Sequence, residues 1–115
     1  MSTATQEFGE LGERIAERWL KRKGWRLVQR RFRSGHRDID LIVTRDDTVA
    51  FVEVKARATA EEAGFALDRY RLRRVAVAAE RLSQRYMREG DDVRIDALFI
   101  VPGRWPRHLA DVWQG

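Results

Sequence analysis

The sequence predicts an α/β domain in which a mixed central sheet is flanked by helices, in the order αβββαβ. Three observations carry this. A helical apolar period runs over residues 8–20, two alternating runs flank an Asp-Asp turn between 38 and 55, and a second helical period over 72–86 leads to a last apolar run at 93–101. Strands separated by a helix of roughly five turns are most simply joined by a crossover and lie parallel, whereas the hairpin strands are antiparallel.

At 115 residues the chain reads as a single domain, 1–115, with 1–7 a disordered N-terminus and 104–115 a C-terminal tail. Phe8, Leu11, Ile15 and Trp19 recur at spacings of three and four and predict a first helix that Gly24 stops. Trp25 to Arg30 reads as a strand and Arg31 to His36 as a basic loop. Ile39, Leu41 and Val43 then alternate with Asp38, Asp40 and Ile42, and after the turn at Asp46-Asp47 the segment Val49 to Lys55 runs back. A loop from Ala56 to Gly64 precedes a long helix with Leu72, Val75, Ala79, Leu82 and Tyr86 on one face, ended by Gly90. Val93 to Val101 is a fourth strand, and Trp105, Leu109, Val112 and Trp113 in the tail predict a small edge strand packed back on the domain.

Composition narrows the chemistry. With no Cys, disulfides, thiolate zinc sites and thiol nucleophiles are excluded. No apolar run is long enough for a bilayer and Met1 to Glu10 carries no apolar signal core, so a cytoplasmic protein without a membrane partner is expected. The 23 Lys and Arg against 18 Asp and Glu leave a charge of +5, and 20 of the 23 are Arg, the residue suited to bidentate phosphate contacts. Nine basic residues and no acidic one fall between Arg18 and Arg37, beside the hairpin. Such a surface would hold nucleic-acid backbone without reading its sequence. Arg-rich coding bias would give the same count.

The chemistry-bearing residues sit on the hairpin. Alternation places Glu53 and Lys55 on one strand face, and a two-residue turn at Asp46-Asp47 sets Asp40 across from Glu53 and Asp38 across from Lys55. Directly opposed carboxylates repel, and a divalent cation between Asp40 and Glu53 would relieve that. Mg²⁺ (or Mn²⁺) suits such oxygen donors and keeps waters and phosphate oxygens as further ligands. Lys55 would then hold a phosphate oxygen or orient the attacking water. On the first helix Glu13 borders the apolar stripe and can look toward the sheet, whereas Glu17 should face water. The same residues also fit ordinary solvent-facing patterning, with Asp40 paired to an Arg across the hairpin. Trp25 and Trp105 would stack on bases if exposed and would belong to the core if not.

Gly9-Glu10-Leu11-Gly12-Glu13-Arg14, Gly24, Asp38-Ile39-Asp40-Leu41-Ile42, Phe51-Val52-Glu53-Val54-Lys55-Ala56-Arg57 and Arg94-Ile95-Asp96 together resemble the YraN family of small bacterial proteins, over about residues 9 to 101. That family resembles in turn the archaeal Holliday-junction resolvases and the PD-(D/E)xK nucleases with the restriction-endonuclease-like fold. The resemblance implies catalytic roles for Asp40, Glu53, Lys55 and Glu13, with Asp40, Glu53 and Glu13 toward a metal ion. The chain departs from the common pattern at Arg37-Asp38, where relatives commonly have Gly-Glu, and at Arg69 to Arg71, where they often have Lys.

Two functions follow as expectations. One is a Mg²⁺-dependent endonuclease acting on branched or structured DNA, with Arg31, Arg33, Arg37, Arg57 and Arg71 on the nucleic acid. In a homodimer, for which the tail with Trp105 and Trp113 is a candidate interface, two such sites would cut two strands. The other is a non-catalytic nucleic-acid- or protein-binding module on the same scaffold.

Overall fold

The structure, a computed structural model, describes residues 3–34, 37–65, 69–88 and 90–113, with side chains described over 7–31, 39–62, 72–88 and 90–113. Eight elements follow in order: α1 (Thr3–Arg22), β1 (Arg26–Ser34), β2 (Arg37–Arg45), β3 (Thr48–Ala56), α2 (Ala60–Phe65), α3 (Arg69–Tyr86), β4 (Asp92–Ile100) and β5 (Arg107–Leu109). The strands form one sheet in the order β1-β2-β3-β4-β5, with β3 and β4 parallel and the other neighbours antiparallel. α1 covers one face, over Leu41, Val43, Ala50, Val52, Leu98 and Ile100; α3 covers the other, over Ile39, Ile42, Val49, Phe51 and Ile95.

The expected order holds, with four local differences. Helix α1 begins at Thr3, so it takes in residues 3–7, where a disordered N-terminus was expected. Strand β1 continues to Ser34, opposite Arg37, through most of the expected basic loop. The Ala56 to Gly64 loop contains the short helix α2. The buried face of α1 is also rotated by roughly 80–90° from the stripe read by hydrophobicity: Gly12, Ala16 and Leu20 are buried, while Leu11 is 50% and Ile15 36% exposed. The cause is closeness of approach. A Cβ on Gly12 would lie 2.6 Å from Ala56 Cβ, so the helix seats its smallest residues on β3, a preference that hydrophobic weighting does not register.

Helix α1 ends as predicted. Gly24, at φ 91°, occupies the left-handed position, and the Trp25 N–H reaches back to the Leu20 carbonyl while the Gly24 N–H bonds that of Lys21, a Schellman closure. The hairpin register is also the predicted one: Arg45 pairs with Thr48, and the ladder continues to Leu41 and Val52. The tail turns back as β5 on the β4 edge, and the Val112 N–H bonds the Ile95 carbonyl at 2.8 Å.

Candidate active site

The sheet is irregular where the site residues gather. Arg31 has φ 49°, a left-handed conformation that side chains other than Gly, Asn or Asp adopt at a cost. Continuing the β1–β2 register sets Arg31 against Asp40, and around this pair alternation breaks in both strands. Leu41 faces α1, yet Ile39, two residues away, joins the α3 cluster. Consecutive residues Arg30 and Arg31 both reach carboxylates of α1, Glu17 and Glu13, each at 2.9 Å.

The β2–β3 ladder also ends here, at Leu41 and Val52. In a two-residue hairpin the next ladder bond would join Val54 N–H to the Ile39 carbonyl. Instead the Val54 N–H donates to Asp40 Oδ2 at 2.8 Å. The carboxylate thus replaces a strand at the point where the strands part, and it lies one residue from Glu53. The expected Asp40–Glu53 ladder pair does not form, because the ladder ends at Leu41 and Val52; the Asp40 carboxylate takes the backbone N–H next along the chain from Glu53 instead.

On β3, Glu53 is 2% exposed, and Lys55 Nζ stands 3.2 Å from its Oε1. A buried carboxylate is expensive without a compensating cation, and the adjacent same-face lysine supplies one. The other oxygen, Oε2, is buried and takes no hydrogen bond from the described residues. Glu13, beside Gly12 on α1, is half-buried: burial pushes its carboxyl above the ordinary range, Arg31 opposes that, and the charges of Glu10 and Glu53 add to the rise. Glu13 therefore does look toward the sheet. Glu17 does not face open water as expected; the same rotation of α1 brings it to Arg30 on β1 and Lys21, and the Arg30 hydrogen bond leads in holding its carboxyl below the ordinary range. Glu13, Glu17, Arg30 and Arg31 line an open cavity of about 340 Å³ with Glu10, Arg14 and Leu41.

The donor set of Asp40 and Glu53 is hard carboxylate oxygen, which fits Mg²⁺ or Mn²⁺ with water completing the shell. Among the described residues no three Asp, Glu or His side chains come together as a ligand group, and Glu13 is engaged by Arg31. Of the expected nucleic-acid contacts, Arg31 is ion-paired to Glu13, and Arg57 donates to the Ala56 carbonyl at 2.7 Å. The side chains of Arg33, Arg37, Arg71 and Asp38 lie outside the described residues.

Sequence reading missed a second polar cluster. Asp96, wholly buried on β4, accepts from Arg94 Nε at 3.0 Å, His108 Nε2 at 2.7 Å and the Asp111 N–H at 2.9 Å. An ionised carboxylate only accepts, so His108 carries its proton on Nε2. Burial pushes the Asp96 carboxyl up, but the bonds from His108, Arg94 and Asp111 outweigh it and hold the group below its ordinary value. This cluster ties the tail to β4. The available signal was Arg-x-Asp, whose two charges share a strand face. Trp25 is buried beneath it, with Arg45 and Arg94 over its ring, whereas Trp105 is 80% exposed.

No described helix is long and apolar enough to cross a membrane. The structure resembles that of Hjc, a Holliday junction resolvase from Archaeoglobus fulgidus, with a TM-score of 0.63 and 16% identity over 89% of this chain and 76% of that one. The shared architecture is the restriction-endonuclease-like fold, a mixed sheet flanked by helices. In sequence the chain is 49% identical to a UPF0102 protein of Sphingopyxis alaskensis, over 96% of both chains. It is 47% identical to one of Erythrobacter litoralis, over 95% of this chain and 94% of that one. The profile described as uncharacterised protein family UPF0102 matches residues 12–100, in keeping with the resemblance carried by the Glu13, Ile39-Asp40 and Glu53-x-Lys55 motifs. The chain belongs to the UPF0102 family.

Proposed function

We propose that this protein is a metal-dependent endonuclease that hydrolyses phosphodiester bonds in branched or structured DNA. The observation that supports the reading is the fork in the sheet, where the Asp40 carboxylate takes the Val54 N–H one residue along the chain from Glu53, whose buried carboxylate is paired with Lys55.

Asp40 and Glu53 would hold Mg²⁺ or Mn²⁺, which when bound polarises the phosphoryl group and acidifies a water. Lys55 brings an ammonium to the same face, where it neutralises a non-bridging phosphate oxygen and the extra charge of the pentavalent transition state. Glu13, half-buried on α1 with its carboxyl raised by burial against the opposing pull of Arg31, would serve as an accessory acid. In the reaction a water oxygen bonds to phosphorus as one ester P–O bond breaks, and the leaving oxygen ends protonated. That the structural neighbour Hjc is a Holliday junction resolvase supports branched DNA as the substrate class.

The test is cleavage of four-way, forked and linear DNA with Mg²⁺ or Mn²⁺, beside calorimetric titration with Mn²⁺. Wild-type cleavage and metal uptake should both be lost in Asp40→Asn and Glu53→Gln. Cleavage that survives in both variants would remove these residues from the mechanism. The second reading, a non-catalytic binding module, is favoured by the countercharges already set on Glu53 and Glu13. It expects salt-sensitive DNA binding without metal and unchanged in Asp40→Asn.

A further inference from the structure

A larger cavity, about 840 Å³, lies at the β5 edge and is lined by Ala60, Phe99, Val101, Gly103, Arg104, Trp105 and Arg107. None of these residues is acidic, and Arg104 and Arg107 are exposed. The sheet register connects this cavity to the fork. Lys55 pairs with Phe99 across β3–β4, and Phe99 pairs with Arg107 across β4–β5. Directly paired residues share a face, so Lys55, Phe99 and Arg107 form one row. Arg107 stands two strand spacings, about 10 Å, along the sheet from Lys55.

At the rim of the cavity is Trp105, 80% exposed. Its ring is braced from behind by Trp19, with centroids 6.1 Å apart and planes tilted 41°, and Lys23 Nζ lies 4.5 Å over the Trp19 ring. An aromatic plane held in place but left open, between two arginines in a cavity lining that has no acidic side chain among the described residues, matches a ligand with both a flat π-face and negative charge. A single-stranded nucleic-acid segment has both. An apolar partner surface would have to bury Arg104 and Arg107 without counterions, which is costly.

We propose that Trp105, Arg104 and Arg107 form a subsite for an unpaired nucleotide next to the scissile phosphodiester. Its base stacks on Trp105, and the flanking phosphates lie on the two guanidinium groups. The substrate class is then DNA in which a single-stranded arm leaves a duplex. This deepens, and rests on, the endonuclease reading above.

The experiment measures fluorescence-anisotropy binding in EDTA, so that it does not depend on cleavage. The probes are a forked DNA with one unpaired arm and a blunt duplex of equal length. Base–aromatic stacking predicts that Trp105→Ala weakens fork binding about 10-fold or more, and Trp105→Phe only about 3-fold. Blunt-duplex binding should stay within about 2-fold in both, because paired bases do not reach the ring. The double variant Arg104→Gln/Arg107→Gln should reduce the salt dependence of fork binding by a slope of about 1 to 2. Equal fork affinity for wild type and Trp105→Ala overturns the subsite and leaves the endonuclease reading standing. Failure of the wild type to bind either DNA overturns both. A fall in mass from dimer to monomer on Trp105→Ala, seen by light scattering, would assign the ring to a contact between copies and also overturn it. Because Trp105 is so exposed, the variants should fold, and circular dichroism checks that they do.

Discussion

Gly9 and Gly12 lie three residues apart within α1, and local sequence gives little reason to treat them differently. The packing does. A Cβ on Gly9 would meet nothing within 4 Å, whereas one on Gly12 would meet Ala56 Cβ at 2.6 Å, with Ala56 Cα at 3.8 Å and Ile100 Cβ at 3.9 Å. The Ala56 Cβ is fixed to the backbone of a central strand, so no rotamer change relieves the contact. Carbon atoms pack at about 3.5 to 4.0 Å, so α1 would have to lift by about 1 Å, forfeiting a quarter to a half of the dispersion attraction across its contact with the sheet. Overpacking of this kind costs about 1–3 kcal/mol. With a rigid neighbour we take the upper part of that range, offset by about 1 kcal/mol of better helix propensity. The expected net is a loss of about 1–2 kcal/mol for Gly12→Ala against a gain of about 0.5–1 kcal/mol for Gly9→Ala. In a domain of this size 1 kcal/mol moves Tm by about 4 °C. Thermal and urea denaturation should therefore show Gly12→Ala melting about 4–8 °C lower and Gly9→Ala about 2–4 °C higher than wild type, with unchanged m-values. If both alanines raise Tm equally, Gly12 does not seat the helix on β3 and the account of Glu13's direction falls with it.

The Asp96 cluster makes the fold acid-sensitive. A carboxyl held below its unfolded value contributes stability that is fully present above that value and is lost as pH falls through the folded one. Asp96→Asn should cost about 3 kcal/mol at pH 7, because Arg94 and His108 lose a buried partner, and should flatten the acid limb of a Tm–pH curve; an unchanged limb would assign acid unfolding elsewhere. On β3, Lys55→Met should destabilise by about 3 kcal/mol because Glu53 stays buried without its ammonium, and the double variant Glu53→Gln/Lys55→Met should recover most of it. Additive losses in a denaturation cycle would contradict that coupling. At the kink, Arg31→Gly should fall within about 0.5 kcal/mol of wild type, since relief of the φ 49° backbone offsets a surface ion pair. Arg31→Val should cost about 1–3 kcal/mol, and equal stabilities for the two would remove the strain from Arg31.

The order of the main elements, the hairpin register and the shared strand face of Glu53 and Lys55 were legible in the sequence. These rest on short-range rules: a period of two along a strand, a period near 3.6 along a helix, and a two-residue turn that leaves one register. Gly24 was legible for the same reason, since a helix end calls locally for a left-handed residue. The features that were not legible depend on segments far apart in the chain. The buried face of α1 was set by how closely Gly12 can approach Ala56, a distance that no hydrophobic period encodes. The break in alternation at Arg31 and Asp40 arises where β2 parts from β3, and that parting depends on Val54, fourteen residues beyond Asp40. Trp25 and Trp105 are chemically the same residue, yet one lies under Arg45 and Arg94 while the other stands open at the sheet edge. Which of them meets solvent depends on what the rest of the chain brings over each ring, and that is fixed only once the sheet has closed around β3.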